Sequence, residues 1–232
     1  RIITDQLSDF LFTSEPSAQI NLEKEGIDLD KIYFVGNIMI DNLLLNLDRA
    51  KKLDTFKKYN LNKEQYALIT IHRPSNVDTR ENLIKVIDIL NYIQQKIKIF
   101  FPIHPRTRKR LSEFNLEDHL QKNNIILSEP VGYLEFLNLM MNSRLILTDS
   151  GGIQEEASYL KIPILTLREN TERPITIEKG TNEIVWNDLD KITKFVNQIL
   201  EEKYKKGKVI EKWDGKTAKR IVDVLENKVI KY

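Results

Sequence analysis

The chain has no cysteine among its 232 residues, which excludes disulfide bonds and thiolate zinc sites and suits a cytoplasmic protein. It also has little excess of charge, because 36 basic side chains are balanced by 34 acidic ones. A net charge of +2 offers nucleic acid or a membrane surface no bulk attraction. No apolar run is long enough to span a membrane, and the first residues lack the apolar centre of a signal peptide. We therefore expect a cytoplasmic protein with neither nucleic acid nor a membrane as partner.

Apolar residues make up 41% of the chain, enough for a sizeable core, and short apolar runs alternate with helical patterns along most of it. Continuous apolar strands separated by helices are typical of a parallel sheet covered on both faces. The sequence therefore predicts an α/β fold with a Rossmann-like parallel sheet flanked by helices. The predicted strands are residues 66–71, 97–103, 125–128, 144–148, 163–167 and 182–186.

The two ends of the chain follow other patterns. A short helix leads into a strand near residues 10–13, and Ser14 is the predicted N-cap of a helix with Pro16 in its first turn. Residues 31–36 indicate another strand, and 37–59 a single long helix with basic residues near its end. Further helices are predicted for 189–204 and 217–228. Because patterned sequence begins directly at Arg1 and not at a methionine, we expect the natural N-terminus to be missing.

The stretch 145–166 combines a short apolar strand, a turn with two glycines, a helix and a second strand. Gly151 and Gly152 let the main chain approach a ligand closely, and the free N–H groups of the first helical turn suit a phosphate. Ser150 adds a hydroxyl group at the same turn. Glu155 and Glu156 are either acids that favour the start of a helix, or one of them holds a pair of ligand hydroxyl groups. Position on the helix favours Glu156.

Polar residues follow several predicted strands at the point where each strand ends. His72, His104 and Arg173 stand at such positions, and ligands of doubly wound folds bind at this edge of the sheet. Each of these residues also has a simpler interpretation. A single histidine in a loop is commonly a hydrogen-bonding cap, and an Arg-Pro pair is commonly part of a turn. Arginine, histidine and glycine N–H groups together suit the diphosphate of a nucleotide sugar. The acids and histidines do not have the spacing of metal ligands, so the sequence does not predict a metal site.

The residues at these positions form four motifs, which are His72-Arg73 with Asn76, Glu129-Pro130 with Tyr133 and Phe136, Thr148-Asp149-Ser150-Gly151-Gly152-Ile153-Gln154-Glu155-Glu156, and Thr171-Glu172-Arg173-Pro174. These motifs closely resemble those of the non-hydrolysing UDP-N-acetylglucosamine 2-epimerases, a family with the two-lobed GT-B fold. The resemblance covers nearly the whole chain.

The resemblance implies a role for each matching residue. Ser150, Gly151 and Gly152 would bind the diphosphate of a UDP-sugar, and Glu156 the ribose hydroxyl groups. Val131 and Phe136 would line the uracil pocket. His72 and Arg173 would be catalytic and contact the phosphates or the sugar. His104 would belong to a regulatory site. Family members eliminate UDP to give a 2-acetamidoglucal and add it back with C2 inverted, so neither a metal nor a cofactor is implied. A homodimer is the assembly we expect.

The resemblance also implies how the chain is divided. Residues 1–36 would be the tail of the first GT-B lobe, 37–59 a connecting helix, 60–205 the UDP-binding second lobe, and 206–232 a C-terminal helix that packs back on the first lobe. The acids that the family uses for proton transfer at C2 have no counterpart in this sequence. We therefore expect the isolated chain to bind UDP at best and not to epimerise a UDP-sugar.

Three other functions remain open at this point. A hydrolysing 2-epimerase would release free N-acetylmannosamine, and a GT-B glycosyltransferase would move the sugar of a UDP-sugar to an acceptor. A non-catalytic sugar-nucleotide-binding protein would keep the fold without the chemistry.

Overall fold

The computed structural model describes residues 1–120 and 124–229, which form two compact units. The smaller unit comprises Arg1–Asn46 and the chain from Val209 onward, and the larger unit is Leu47–Lys208. The smaller unit contains a two-stranded parallel sheet. Its first elements are α1 (Ile2–Leu7), β1 (Leu11–Thr13), α2 (Pro16–Lys24), β2 (Ile32–Phe34) and the start of α3 (Ile38–Lys51).

The larger unit is a six-stranded, fully parallel sheet with helices between successive strands. Its strands are β3 (Tyr66–Thr70), β4 (Lys98–Pro102), β5 (Ile125–Ser128), β6 (Leu145–Thr148), β7 (Ile164–Thr166) and β8 (Asn182–Ile184). Its helices are α4 (Thr55–Lys58), α5 (Pro74–Val77), α6 (Arg80–Ile93), α7 (Pro105–Glu113), α8 (Tyr133–Met141), α9 (Gly151–Tyr159), α10 (Ile175–Glu178) and α11 (Leu189–Leu200).

The strand order is β5-β4-β3-β6-β7-β8, so the chain builds outward from β3 in one direction and then returns to build outward from β6 in the other. This is the doubly wound order of a Rossmann-like sheet, and the reversal lies between β3 and β6. Ala67 is in register with Leu145 and Thr70 with Thr148, so both strands end level with each other. The residues that follow them therefore emerge side by side.

Alternate residues of the buried strands pack on opposite faces of this sheet. Ile69 and Leu147 belong to a core that includes Leu90 of α6 and Val196 of α11. On the other face the core includes Leu68, Phe100 and Ile146 of the sheet, Leu139 of α8 and Ala157 of α9. Each of these side chains is fully buried or nearly so, which is worth about 1.5–3 kcal/mol for a large apolar side chain.

The predicted single helix over 37–59 is wrong, because the structure breaks it into α3 and α4. The break is stabilised by a residue distant in sequence. The amide Nδ2 of Asn138, on α8, donates to the carbonyl oxygens of Ala50 at 3.0 Å and Leu53 at 2.8 Å. The Ala50 carbonyl oxygen also accepts from the amide of Leu53 at 3.0 Å, so the chain turns at the end of α3 instead of continuing as a helix.

The helix predicted over 189–204 ends at Leu200, and the short helix α10 was not predicted. Ser14 is also not the N-cap of α2. Pro16 occupies the first helical turn, and Glu15 is the extended residue before it. A residue that precedes proline is restricted to extended backbone, so the cap falls on Glu15.

The last helix of the described chain, α12 (Thr217–Val229), belongs to the smaller unit. Asp41 Oδ2 accepts a hydrogen bond of 2.8 Å from the amide of Ala218 in the first turn of α12. Arg220 donates to the carbonyl oxygen of Val35 at 3.1 Å, and the indole of Trp213 donates to that of Ser14 at 3.2 Å. Polar contacts to the main chain therefore hold α12 against the residues of this unit.

Candidate functional site

The reversal between β3 and β6 is the natural site of a doubly wound sheet. The hydroxyl oxygens of Thr70 and Thr148, the last residues of the two strands, are 2.7 Å apart. Thr148 Oγ1 also accepts from the amide of Ser150 at 3.0 Å. These two contacts fix the direction in which the chain leaves both strands.

Asp149 joins the two strand ends and is fully buried. Its Oδ2 accepts from the amides of His72 at 2.8 Å and Arg73 at 2.7 Å and from Asn76 Nδ2 at 3.0 Å, while its Oδ1 lies 2.9 Å from His72 Nδ1. Burial alone would raise the pKa of Asp149, but the hydrogen bonds from these three residues outweigh burial and lower it. Asp149 is therefore ionised and orients the His72 segment.

His72 and His104 lie next to each other at the ends of β3 and β4. Their ring centroids are 5.0 Å apart. His104 Nδ1 accepts from the amide of Arg106 at 3.1 Å, so this histidine caps α7. Burial and the nearby His72 lower the pKa of His104 below its ordinary value. The cap is the simpler role considered for a loop histidine, and it leaves the other ring nitrogen for further contacts.

A cavity of about 400 Å³ opens at this edge of the sheet. It brings together both histidines, the apolar side chains that follow β5, and the start of α9. Its lining consists of Thr70, Ile71, His72, Pro102, His104, Pro105, Pro130, Val131, Phe136, Ser150 and Ile153. An apolar pocket with a few converging polar groups is the usual form of a small-molecule site.

The N-terminus of α9 is open beside this cavity. Apart from their own helix and chain neighbours, no heavy atom of the described residues lies within 4 Å of the position that a Cβ would take at Gly151 or Gly152. Neither glycine has the positive φ that would require glycine. Local packing and backbone conformation therefore do not explain the pair, whereas close approach of a ligand to the first-turn N–H groups does. The Ser150 side chain makes no capping hydrogen bond there.

Glu156 lies in the second turn of α9 and is 4% exposed. Its Oε1 accepts a hydrogen bond of 2.8 Å from Tyr133 Oη, at the start of α8. Burial raises the pKa of Glu156, Tyr133 opposes that rise, and the neighbouring Glu155 adds to it. The carboxylate is thus desolvated and incompletely compensated by the groups around it.

The adjacent Glu155 is also buried, but it is turned toward the chain after β7. Its Oε1 lies 2.7 Å from Arg173 Nε. Arg173 is partly exposed, so one edge of its guanidinium contacts Glu155 while the side chain still reaches solvent. This ion pair connects the helix that carries the glycines to the segment 171–174.

A buried amide network holds the same segment. Gln154 Oε1 accepts from Thr171 Oγ1 at 2.6 Å and from Asn182 Nδ2 at 3.1 Å. Asn182 also donates to Thr176 Oγ1 at 3.0 Å and accepts from Thr166 Oγ1 at 2.6 Å. Both amide side chains are fully buried, so the segment that carries Arg173 is fixed to α9 and β8.

The structure thus gathers His72, His104, Val131, Phe136 and Ser150 around one cavity. Within the described residues, Gly151, Gly152, Glu156 and Arg173 are not part of its lining but lie on α9 or contact it. The role of Asp149, the Tyr133–Glu156 contact and the Glu155–Arg173 pair were not predicted. In the sequence, these residues were marked only by belonging to the quoted motifs. The contacts themselves could not be predicted, because each depends on segments that are distant in sequence.

Two kinds of feature are absent from the part of the chain that the structure describes. Residues 1–120 and 124–229 contain no group of three or more histidine, aspartate or glutamate side chains placed to hold a metal ion. Over the same residues, none of the helices combines the length and apolarity required to cross a membrane.

The strand order and the polar edge at its reversal define a doubly wound α/β protein with a Rossmann-like sheet. The sequence profile of the family described as UDP-N-acetylglucosamine 2-epimerase matches residues 1–226. The chain therefore belongs to the UDP-N-acetylglucosamine 2-epimerase family, as the motifs predicted.

Individual relatives agree with this assignment. A UDP-N-acetylglucosamine 2-epimerase from Methanocaldococcus jannaschii is 45% identical in an alignment that covers 97% of this chain and 63% of that protein. The crystal structure of M. jannaschii UDP-GlcNAc 2-epimerase in complex with UDP-GlcNAc and UDP has a TM-score of 0.87 at 44% identity and covers 98% of this chain and 63% of that chain. The crystal structure of the Neisseria meningitidis UDP-GlcNAc 2-epimerase bound to UDP-GlcNAc has a TM-score of 0.83 at 33% identity and covers 98% of this chain and 64% of that chain.

The chain therefore spans less than two thirds of the length of these relatives. The predicted fold class is confirmed: a Rossmann-like parallel sheet flanked by helices, the second lobe of a GT-B fold, together with the tail of the first lobe.

Proposed function

We propose that this chain is the UDP-binding part of a UDP-N-acetylglucosamine 2-epimerase. The observation that carries the proposal is the start of α9, where two glycines without a local packing role adjoin the cavity and a buried, undercompensated carboxylate. In this proposal Ser150, Gly151 and Gly152 bind the diphosphate, and Glu156 accepts hydrogen bonds from the ribose. Residues 60–205 would be the complete UDP-binding lobe, joined by residues 37–59 to the first-lobe tail of residues 1–36, on which residues 206–232 pack back.

The uracil fits the apolar part of the same cavity. Val131, just before α8, and Phe136 of α8 line it together with Ser150 and Ile153 of the α9 segment. In this proposal the base lies against Val131 and Phe136, the ribose at Glu156 and the diphosphate at the first turn of α9.

The reaction that the family name describes inverts C2 of the sugar. Loss of the C2 proton and cleavage of the bond between C1 and the UDP oxygen give 2-acetamidoglucal and UDP, and the reverse addition returns the proton to the other face. The residues of this chain assist the departure of UDP, because negative charge then accumulates on the diphosphate. Arg173, His72 and the amides of the glycine pair stabilise that charge.

The proposal is tested by titrating UDP and ADP into the chain in a calorimeter, next to the Arg173→Ala variant. We expect UDP to bind in preference to ADP, and the variant to bind UDP about tenfold more weakly, as loss of a charged hydrogen bond predicts. Lys179→Ala, which lies outside the proposed contacts, serves as the control. A folded chain that binds neither nucleotide would contradict the proposal.

The epimerase activity itself requires a chain of the relatives' full length. Such a chain should convert UDP-N-acetylglucosamine to its N-acetylmannosamine epimer and form a trace of 2-acetamidoglucal. Release of free N-acetylmannosamine would instead indicate a hydrolysing enzyme, and a requirement for an acceptor a glycosyltransferase. A cytoplasmic location, a homodimer and the regulatory role of His104 stay predictions.

A further inference from the structure

Tyr133 makes a contact that the roles assigned above do not use. It is the first residue of α8, and its hydroxyl donates to Glu156 Oε1 on α9 at 2.8 Å. Both helices border the cavity, α8 through Phe136 and α9 through Ile153. The hydrogen bond therefore joins the proposed base-binding segment to the proposed ribose-binding acid.

The contact fixes how the carboxylate of Glu156 is presented. Oε1 is engaged by Tyr133, so Oε2 and the remaining lone pair of Oε1 are the acceptors left for a ligand. A ribose offers two neighbouring hydroxyl groups, O2′ and O3′, and both can donate to one carboxylate only if its plane is held in place. A buried glutamate with a single donor keeps that plane as long as the donor is present.

We propose that Tyr133 is a positioning residue for ribose, which holds Glu156 for simultaneous contact with both ribose hydroxyl groups and so sets the preference for ribonucleotides over 2′-deoxyribonucleotides. The inference rests on the proposed UDP site and adds a specificity-determining residue to it.

The alternative is a simple structural tie between α8 and α9. Tyr133 is 39% exposed, so its ring adds little to the buried core, and loss of its hydroxyl group removes the hydrogen bond to Glu156. Phenylalanine at this position keeps the aromatic ring and removes only the donor. Tyr133→Phe is therefore expected to fold normally, which makes the two roles separable.

The experiment measures the affinity of the wild-type chain and of Tyr133→Phe for UDP and for 2′-deoxy-UDP by calorimetry. The wild type should bind UDP about tenfold more tightly than 2′-deoxy-UDP, because the deoxynucleotide lacks one hydrogen bond to a charged acceptor. In Tyr133→Phe we expect UDP to bind about fivefold more weakly and 2′-deoxy-UDP to change by less than about twofold, so that the preference collapses. Tyr159→Phe, on the same helix as Glu156, is the matched control and should keep the wild-type preference.

A double-mutant comparison separates positioning from structure. Glu156→Gln should lose the preference for UDP, and adding Tyr133→Phe should cause no further loss, because Tyr133 acts through Glu156. Equal weakening of both nucleotides by Tyr133→Phe, or no weakening, would overturn the inference while leaving UDP binding intact. A folded wild-type chain that binds neither nucleotide would overturn the inference together with the proposed function.

Discussion

Asp149 and Glu156 are two buried carboxylates seven residues apart, and they differ in the number of their hydrogen-bond donors and in the direction of their pKa shifts. Asp149 receives hydrogen bonds from two backbone amides and Asn76, with His72 Nδ1 at its other oxygen, and its pKa is lowered. Glu156 has one hydrogen-bond donor among the described residues, Tyr133, and its pKa is raised. Both side chains are almost inaccessible to solvent.

The difference indicates which carboxylate serves the fold and which serves a ligand. A carboxylate whose acceptor sites are filled by its own chain stabilises the structure in which it sits. A buried carboxylate with free acceptor sites costs free energy until another molecule supplies the donors. On this view Asp149 organises the strand ends, and Glu156 is available to the nucleotide.

The largest effect on stability is expected from Asp149→Asn. An asparagine places an N–H₂ group against donors, which should lower the free energy of unfolding by about 3 kcal/mol at pH 7. Because the folded pKa of Asp149 is lowered, its contribution is present above its ordinary pKa of 3.8 and is lost as pH falls through the folded value.

The measurement is urea unfolding of wild type and Asp149→Asn from pH 3 to 7. The stability gap should shrink toward the acid end of this range. Asp88→Asn, an exposed acid on α6, is the control and should show no such gap. A constant gap across the range would show that the charge of Asp149 is not what stabilises the strand ends.

Glu155→Gln is expected to change binding more than folding. It replaces the charged partner of Arg173 at 2.7 Å by a neutral amide, so the guanidinium is held less firmly and its contacts with Glu172 remain. Since Arg173 is partly exposed, the stability cost is modest, but UDP should bind about tenfold more weakly while uridine is unaffected. Calorimetry with both ligands tests this, and an equal loss for uridine would show that α9 itself had been disturbed.

Glu156→Gln should stabilise the folded chain. Burial raises the folded pKa, so the wild type binds its proton more tightly when folded, and it loses stability as pH rises from its ordinary pKa of 4.5 through the folded value. A neutral glutamine avoids this loss and still accepts from Tyr133. We expect a gain in the free energy of unfolding at pH 7 that vanishes near pH 4, measured by denaturant unfolding.

The smallest effect on stability is expected from Gly152→Ala. A Cβ at this position meets open space and the backbone is not in the left-handed region, so alanine should add up to about 0.5 kcal/mol through its helix propensity. UDP binding should nevertheless fall, because the methyl group occupies the approach to the first-turn amides.

Gly180→Ala is the contrasting variant. A Cβ there would collide with Ser158 and with the Thr176 carbonyl oxygen, so it should destabilise the fold. Thermal melts with and without UDP distinguish the two glycines. Equal destabilisation by both substitutions would remove the argument that Gly152 is kept open for a ligand.

The same comparison shows what the sequence can predict. The strands and the glycine turn are local features, since apolar runs and a Ser-Gly-Gly break are visible in consecutive residues, and all six strands of the larger sheet were predicted within a few residues. Glu156 was identified from its helical position and its family motif. Both kinds of signal lie within a short segment.

The contacts that distinguish the two acids are not local. Asp149 is bonded to residues 73 to 77 positions earlier, and Tyr133 is 23 positions from Glu156. The break between α3 and α4 likewise depends on Asn138, more than 80 positions away. Such pairings arise only when the sheet has formed, so the number of donors around each carboxylate could not be deduced from one sequence.

The central claim is tested most directly by titrating UDP into the wild-type chain and into Glu156→Gln in the calorimeter, with both proteins shown to be folded by their melting curves. The account predicts that the wild type binds UDP and that the variant, although at least as stable, binds about tenfold or more weakly. Equal affinity in the two proteins would contradict it, because Glu156 would then be a buried acid without a ligand.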